Sequence, residues 1–154
     1  MNSLSFSELP AYDVVIVGGG VSGSVAAIAA GRAGARVLLI EEHGFLGGSL
    51  TAMGVGPMMS FHDPSGGQVV RGIPDELIER LKARGASLGH IPDTTTYCST
   101  VTPFDSEELK IELETMITET GSAMAFMDHS LGGRQKKLSG QNLGHILVIR
   151  DPAP

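Results

Sequence analysis

The chain has 154 residues, 42% of them apolar, and a formal net charge of −6. That length suits one domain with its own core, and the acidic balance argues against nucleic acid and anionic membrane surfaces as partners. Cys98 is the one cysteine, which excludes an intrachain disulfide, an all-cysteine metal centre and an iron–sulfur cluster, and points to a cytoplasmic protein.

The first element is the apolar run Tyr12 to Val17, read as a buried strand. It leads into Gly18-Gly19-Gly20-Val21-Ser22-Gly23. A helix of small residues follows over 24–34. A second buried strand, Arg36 to Ile40, ends in the acid Glu41. Strand, glycine turn, helix, strand and terminal acid in this register form a dinucleotide-binding βαβ unit. Gly18 permits the sharp turn, and Gly20 lets a pyrophosphate approach the backbone. Gly23, with Ala27 one turn later, lets the helix pack close to the sheet. The free N–H groups and dipole of the helix's first turn attract phosphate. Glu41, about 20 residues past the turn, stands where an acid accepts hydrogen bonds from a ribose diol and disfavours a 2′-phosphate. The uncharged stretch 14–31 contains five glycines and two serines, and no Lys or Arg precedes Arg32. It therefore reads neither as a membrane span nor as a signal peptide.

Residues 42–72 have no clear period and are rich in Gly, Met and Pro, so loops around a ligand are expected. A helix is expected over 74–84, with Pro74 in its first turn, Leu77, Ile78 and Leu81 on one face, and Gly85 at its end. The Glu76-to-Arg84 charges read as a solvated face. A polar connection passes Pro92 and Pro103. Asp105-Ser106-Glu107-Glu108 has the form of a capping box opening a helix that buries Leu109, Leu113, Met116 and Ile117, with Gly121 as its stop. Strands are expected near Ser122–Met127 and over Gly144–Arg150. The charge changes late in the chain: residues 1–128 carry 16 acids and 7 basic residues, whereas 129–154 carry Arg134, Lys136, Lys137 and Arg150 against Asp151 alone.

Several residues have plainer readings. His43, His62, His90, His129 and His145 lack metal-ligand spacing, and no metal site is expected. His62 and His90 lie in loops within reach of a substrate, although loop histidines are commonly just solvated. Met53, Met58 and Met59 read as core fillers, and Cys98 as a structural thiol rather than a redox one.

The chain resembles the FAD-dependent oxidoreductase family, which includes relatives of the heterodisulfide reductase flavin subunit. The resemblance covers roughly residues 11 to 121. It rests on Asp13-Val14-Val15-Ile16-Val17-Gly18-Gly19-Gly20 with Ser22-Gly23, then Ile40-Glu41-Glu42, then Leu46-Gly47-Gly48 with Thr51. It continues in Gly89-His90-Ile91-Pro92-Asp93 and Thr100-Val101-Thr102-Pro103-Phe104-Asp105. The resemblance implies an α/β fold, a Rossmann-like parallel sheet with flanking helices, here as an incomplete FAD-binding domain. It implies FAD as cofactor, held by Gly18, Gly19, Gly20, Ser22, Gly23, Glu41, Gly48, Ser49 and Thr51. Residues 1–121 are then the FAD-binding portion, and 122–154 an atypical tail of a truncated or frame-changed chain, left with an open sheet edge that favours homo-oligomers. The expected function is FAD binding within an oxidoreductase whose small-molecule substrate or redox partner is unassigned, as are its catalytic residues. A non-catalytic nucleotide-binding module or inactive truncated product, and an NAD-dependent dehydrogenase, stand as alternatives.

Overall fold

The structure is a computed structural model. It describes residues 11–95 and 97–126, and the backbone of 127–128, 136–138, 141–143 and 146–150. Its centre is a four-stranded sheet of order β1-β2-β6-β9, formed by β1 (Val14–Val17), β2 (Val37–Glu41), β6 (Ala123–Asp128) and β9 (Ile146–Arg150). The first three strands run parallel, with Val14 opposite Val37 and Leu38 opposite Ala123. β9 is antiparallel to β6. The unbroken run of β2 is explained by its central place: Val37, Leu38 and Leu39 are all buried because both faces of the strand are covered.

Three helices, α1 (Val21–Arg32), α2 (Ile73–Ala83) and α3 (Ser106–Thr118), form the main core. Ile28, Leu77, Ile78, Leu81, Leu109, Leu113, Met116 and Ile117 pack with Val37, Leu39, Met124 and Phe126 from one side of the sheet. The alternate positions Leu38, Ala123 and Ala125 form a second, smaller cluster with Tyr12 and Ile40. The expected α/β fold with a parallel sheet and flanking helices is therefore what the chain adopts. The helix expected over 24–34 begins three residues earlier, because Gly20 takes extended backbone and serves as the cap residue.

Residues 42–72 and the connection past Pro92 are more regular than their composition suggests. β3 (Met58–Met59), β5 (Thr100–Thr102) and β4 (Ile91–Pro92) make a three-stranded antiparallel sheet in that order. Strands of two or three residues are too short to display a period. Met58 packs partly against the core, but Met53 and Met59 are exposed, so the core-filling role expected of those two does not hold.

Two helix details also differ from expectation. Asp105 caps α3, accepting the N–H groups of Glu107 and Glu108 at 2.8 and 3.2 Å. Glu108 does not reach back to complete a capping box, because its carboxylate pairs with Arg84 at 2.7 Å. The charges of α2 are not merely solvated either. Arg80 joins α2 to α3 through Glu119 at 2.8 Å and the buried Glu112 at 3.3 Å, and also bonds Glu76. Sequence spacing shows pairs within one helix, whereas this network crosses between two. A further 7–8 hairpin, β7 (Lys136–Leu138) with β8 (Gln141–Leu143), precedes β9. The strand expected over 144–150 is seen as Ile146–Arg150, and residues 144–145 lie outside the described residues, as do His129 and His145.

Candidate flavin-nucleotide site

The glycine turn follows directly from β1. The Gly18 N–H donates to the Ile40 carbonyl at 2.7 Å, which carries the strand pairing to the edge of the turn. Gly18 then takes φ +100°, a conformation costly for any side chain. Gly23 sits where α1 passes back over that turn. A Cβ there would lie 1.9 Å from the Gly18 carbonyl oxygen and 3.4 Å from Ile16 Cγ2, so glycine alone allows this helix–strand approach.

A second glycine segment meets the first. Gly20 and Gly47 form a parallel bridge, and the Gly47 N–H donates to the Gly19 carbonyl at 2.9 Å. Gly48 opens a 3-10 turn, Gly48–Leu50, with φ +55°. A Cβ on Gly48 would lie 2.9 Å from Gly20 Cα, whereas one on Gly20 would meet only Gly48 Cα, at 3.9 Å. The space beside Gly20 is therefore open. No side chain caps the N-terminus of α1, and no acid lies in its first turn. Uncapped amides, a positive helix end and an open glycine surface are the properties an anionic pyrophosphate requires. The chain thus fits the group that the sequence implies.

The other predicted site residues fall around this junction. Ser22 lies in the first turn of α1 and Ser49 in the 3-10 turn. Thr51 faces inward: its Oγ1 donates to the Leu46 carbonyl at 2.7 Å, and its methyl fills the space a Cβ on Gly47 would need. It supports the second loop from behind. Ser24, not singled out in the sequence, has the same role in the first loop. It is fully buried, and its Oγ donates to the Gly19 carbonyl at 3.0 Å. A serine among the small residues of a helix, here between Gly23 and Val25, carries no signal that it braces a turn five residues earlier.

Glu41 ends β2 with only 7% of its surface exposed. Oε2 accepts the Gly19 N–H, and Oε1 accepts the His43 N–H at 2.8 Å and lies 2.9 Å from His43 Nδ1. Burial pushes the carboxyl up. The hydrogen bonds from His43 and Gly19 together outweigh it and hold the group below its usual range. His43, which lacks metal-ligand spacing, is thereby placed as the partner of Glu41.

His90 is not a solvated loop residue. Its Nδ1 lies 2.7 Å from Thr102 Oγ1 and its Nε2 3.3 Å from Asp75. Cys98 is half-buried and donates to the Thr100 carbonyl at 3.3 Å. Among the described residues no group of three His, Cys, Asp or Glu side chains could hold a metal, and no helix is long and apolar enough to cross a membrane.

Comparison with known proteins sets this geometry in context. The family model for FAD dependent oxidoreductases matches residues 13–148. Dihydrolipoamide dehydrogenase of Chaetomium thermophilum is 38% identical over 79 residues, covering 51% of this chain and 14% of that protein. Sarcosine oxidase subunit alpha of Rhizobium meliloti is 53% identical over 38 residues, 25% of this chain and 4% of that one. The chain thus spans a small part of the length of these curated relatives. Among solved structures, Thermovibrio ammonificans THI4 superposes with a TM-score of 0.48 at 22% identity, over 92% of this chain and 48% of that one. A geranylgeranyl bacteriochlorophyll reductase-like protein of Thermoplasma acidophilum gives 0.48 at 16% identity, over 88% and 34%. The family match extends over most of the sequence, includes both glycine segments and Glu41, and agrees with the parallel sheet: the chain belongs to the FAD-dependent oxidoreductase family and provides an FAD-binding portion of such a flavoprotein.

Proposed function

We propose that the junction of the two glycine segments holds the pyrophosphate and adenosine side of FAD. The observation that carries this reading is the contact of Gly20 with Gly47 and Gly48 directly before the uncapped end of α1. In the proposed arrangement the N–H groups of Val21, Ser22 and Gly23 donate to phosphate oxygens. Gly18 and Gly19 shape the approach. Gly48 keeps the second wall free of side chains, and Ser49 adds a hydroxyl at its rim. Thr51 holds that wall in place. Glu41 fixes the Gly19 amide and keeps one Oε2 lone pair for a ribose hydroxyl. Bound flavin would supply the electron transfer, and the residues named here bind and orient it.

The chain then serves an oxidoreductase acting on a small molecule or a redox partner, among relatives of the heterodisulfide reductase flavin subunit. Residues 1–121 carry the two glycine segments and Glu41 of that nucleotide-binding portion, while β6 and β9, from 122–154, extend its sheet beyond β2. The acidic balance supports a protein that binds neither nucleic acid nor anionic membrane, and the lone Cys98 supports a cytoplasmic one. The edge of β1, which is unpaired among the described residues and where Val15 and Val17 are 55% and 81% exposed, supports association of copies through that strand.

Titration with FAD, followed by quenching of flavin fluorescence, tests the site. Saturable quenching that Gly20→Val weakens at least about tenfold, with unchanged far-UV circular dichroism, is the expected result; a tenfold change corresponds to about 1.4 kcal/mol. Equal affinity in the variant would remove the glycine junction from the nucleotide site.

A further inference from the structure

A second concave site lies away from the glycine junction. Beyond β3 the chain continues beside β5: the Ser60 N–H donates to the Thr100 carbonyl at 2.9 Å, and Ser99 Oγ donates to the His62 carbonyl. Between this edge and the segment at Pro92, Tyr97 and Cys98 is an open cavity of about 600 Å³, lined by His62, Asp63, Tyr97, Cys98 and Thr100 among others. None of the glycine-junction residues lines it.

The polar groups here share one character. Asp63 Oδ1 accepts from the Ser65 N–H and hydroxyl and from the Gly67 N–H, at 2.6–2.9 Å. Its Oδ2 takes part in none of these three bonds. The Ser65 hydroxyl and the Gly67 amide hold the carboxyl below its usual range, so it stays ionised. Behind Cys98, Asp93 accepts the N–H groups of Thr95, Tyr97 and Cys98. The Cys98 amide and the two others hold it far below the ordinary carboxylate value. Among the described residues no Lys or Arg lines the cavity.

His62 supplies the remaining acceptor. Its ring stands edge-on to His90, with centroids 5.3 Å apart. His90 is in turn stacked on Phe61 at 4.3 Å and bonded to Asp75 and Thr102. This backing fixes the His62 ring. Its Nδ1 faces Thr100 Oγ1 at 3.4 Å, and Nε2 has no hydrogen-bond partner among the described residues. With the proton on Nδ1, Nε2 is a free acceptor at the cavity wall. Tyr97, 80% exposed, adds an aromatic ring at the rim.

We propose that this cavity binds a small primary or secondary amine in its ammonium form, paired with Asp63, hydrogen-bonded to His62 Nε2 and covered by the Tyr97 ring. Two ionised carboxylates, with no balancing cation among the described residues, repel an anion. A neutral ligand leaves Asp63 Oδ2 without a charged partner. An ammonium offers several N–H donors to two unused acceptors, and its charge is attracted to an aromatic face. Binding at this cavity does not depend on flavin, so it stands or falls separately from the nucleotide reading.

Dimethylammonium chloride is a suitable probe, with acetate and 2-propanol as anionic and neutral counterparts. The readout is the set of histidine ring signals in ¹H–¹³C NMR, with those of His62 assigned from their loss in His62→Gln. The expected result is a saturable shift of the His62 signals by dimethylammonium and none by acetate or 2-propanol. Asp63→Asn keeps an Oδ1 acceptor for the turn while removing the charge; it should weaken binding about tenfold, as for a charge-assisted hydrogen bond. Tyr97→Leu, at an exposed position, should weaken it several-fold and guards against misfolding of the first variant. The proposal is overturned if dimethylammonium gives no saturable shift, if acetate or 2-propanol shifts His62 equally, or if well-folded Tyr97→Leu and Asp63→Asn both bind as the parent does.

Discussion

Glu41 and Gly19, 22 residues apart in sequence, are joined by a hydrogen bond from the Gly19 backbone N–H to Glu41 Oε2. The acid at the end of β2 therefore holds the glycine turn in shape before any ligand is present. Glu41→Ala should thus weaken FAD and AMP alike and also lower stability, by roughly 1–3 kcal/mol for the lost charge-assisted bonds. Urea unfolding and nucleotide titration of the same variant check both effects. Unchanged affinity with lowered stability would confine Glu41 to the turn.

Gly20 and Gly23 should separate binding from folding. At Gly20 the backbone has φ −62° and a Cβ meets nothing closer than 3.9 Å. Gly20→Ala should therefore stay within about 1 kcal/mol of the parent in stability, the cost of an alanine at a helix cap, while losing affinity for FAD. A Cβ on Gly23 would overlap the Gly18 carbonyl and drive α1 off β1. Gly23→Ala should cost about 3 kcal/mol, as overpacking against rigid backbone does. Thermal unfolding distinguishes the two variants.

Arg80 is predicted to be the most sensitive surface-facing residue of the helical layer. Its removal strands Glu112, whose side chain is 6% exposed, and breaks the links to Glu76 and Glu119. Because Arg80 itself is 30% exposed and Arg84 remains 3.9 Å from Glu112, Arg80→Met should cost about 2 kcal/mol, less than the loss of a fully buried pair. The urea midpoint should fall with an unchanged slope.

The Asp13–Arg36 pair predicts an acid-sensitive step. The Arg36 side chain, bonded at 2.8 Å, holds Asp13 down to about 2. A depressed carboxyl contributes stability that is complete above its unfolded value, about 3.9, and that is lost as the pH falls through its folded value. Stability should therefore decline with a contribution from Asp13 between about pH 4 and pH 2. Asp13→Asn should remove that part of the slope. NMR titration of the Asp13 carboxyl checks the value directly.

The edge of β1, open among the described residues, predicts concentration-dependent association. Val15→Lys places a charge on that exposed strand and should lower the sedimentation coefficient at high protein concentration. An unchanged distribution would place any association elsewhere on the molecule.

Local sequence determined the βαβ unit, the three helices and the acidic end of β2. Each of these has a signature short enough to lie within one segment: a continuous apolar run, helical spacing such as Leu77, Ile78 and Leu81, a cap such as Asp105, and a glycine where the backbone must turn. Tertiary structure alone decided the rest. It brought Gly47 and Gly48 against Gly20, aimed Glu41 at the Gly19 amide, turned Glu108 from its own helix toward Arg84, and set β3, β4 and β5 side by side. It also set His62 edge-on to His90, 28 positions further along the chain. The physical reason is the same in each case. Backbone propensity and side-chain period act over a few residues, whereas a carboxylate or an imidazole takes whichever partner the packing of distant segments brings within about 3 Å, the reach of a hydrogen bond.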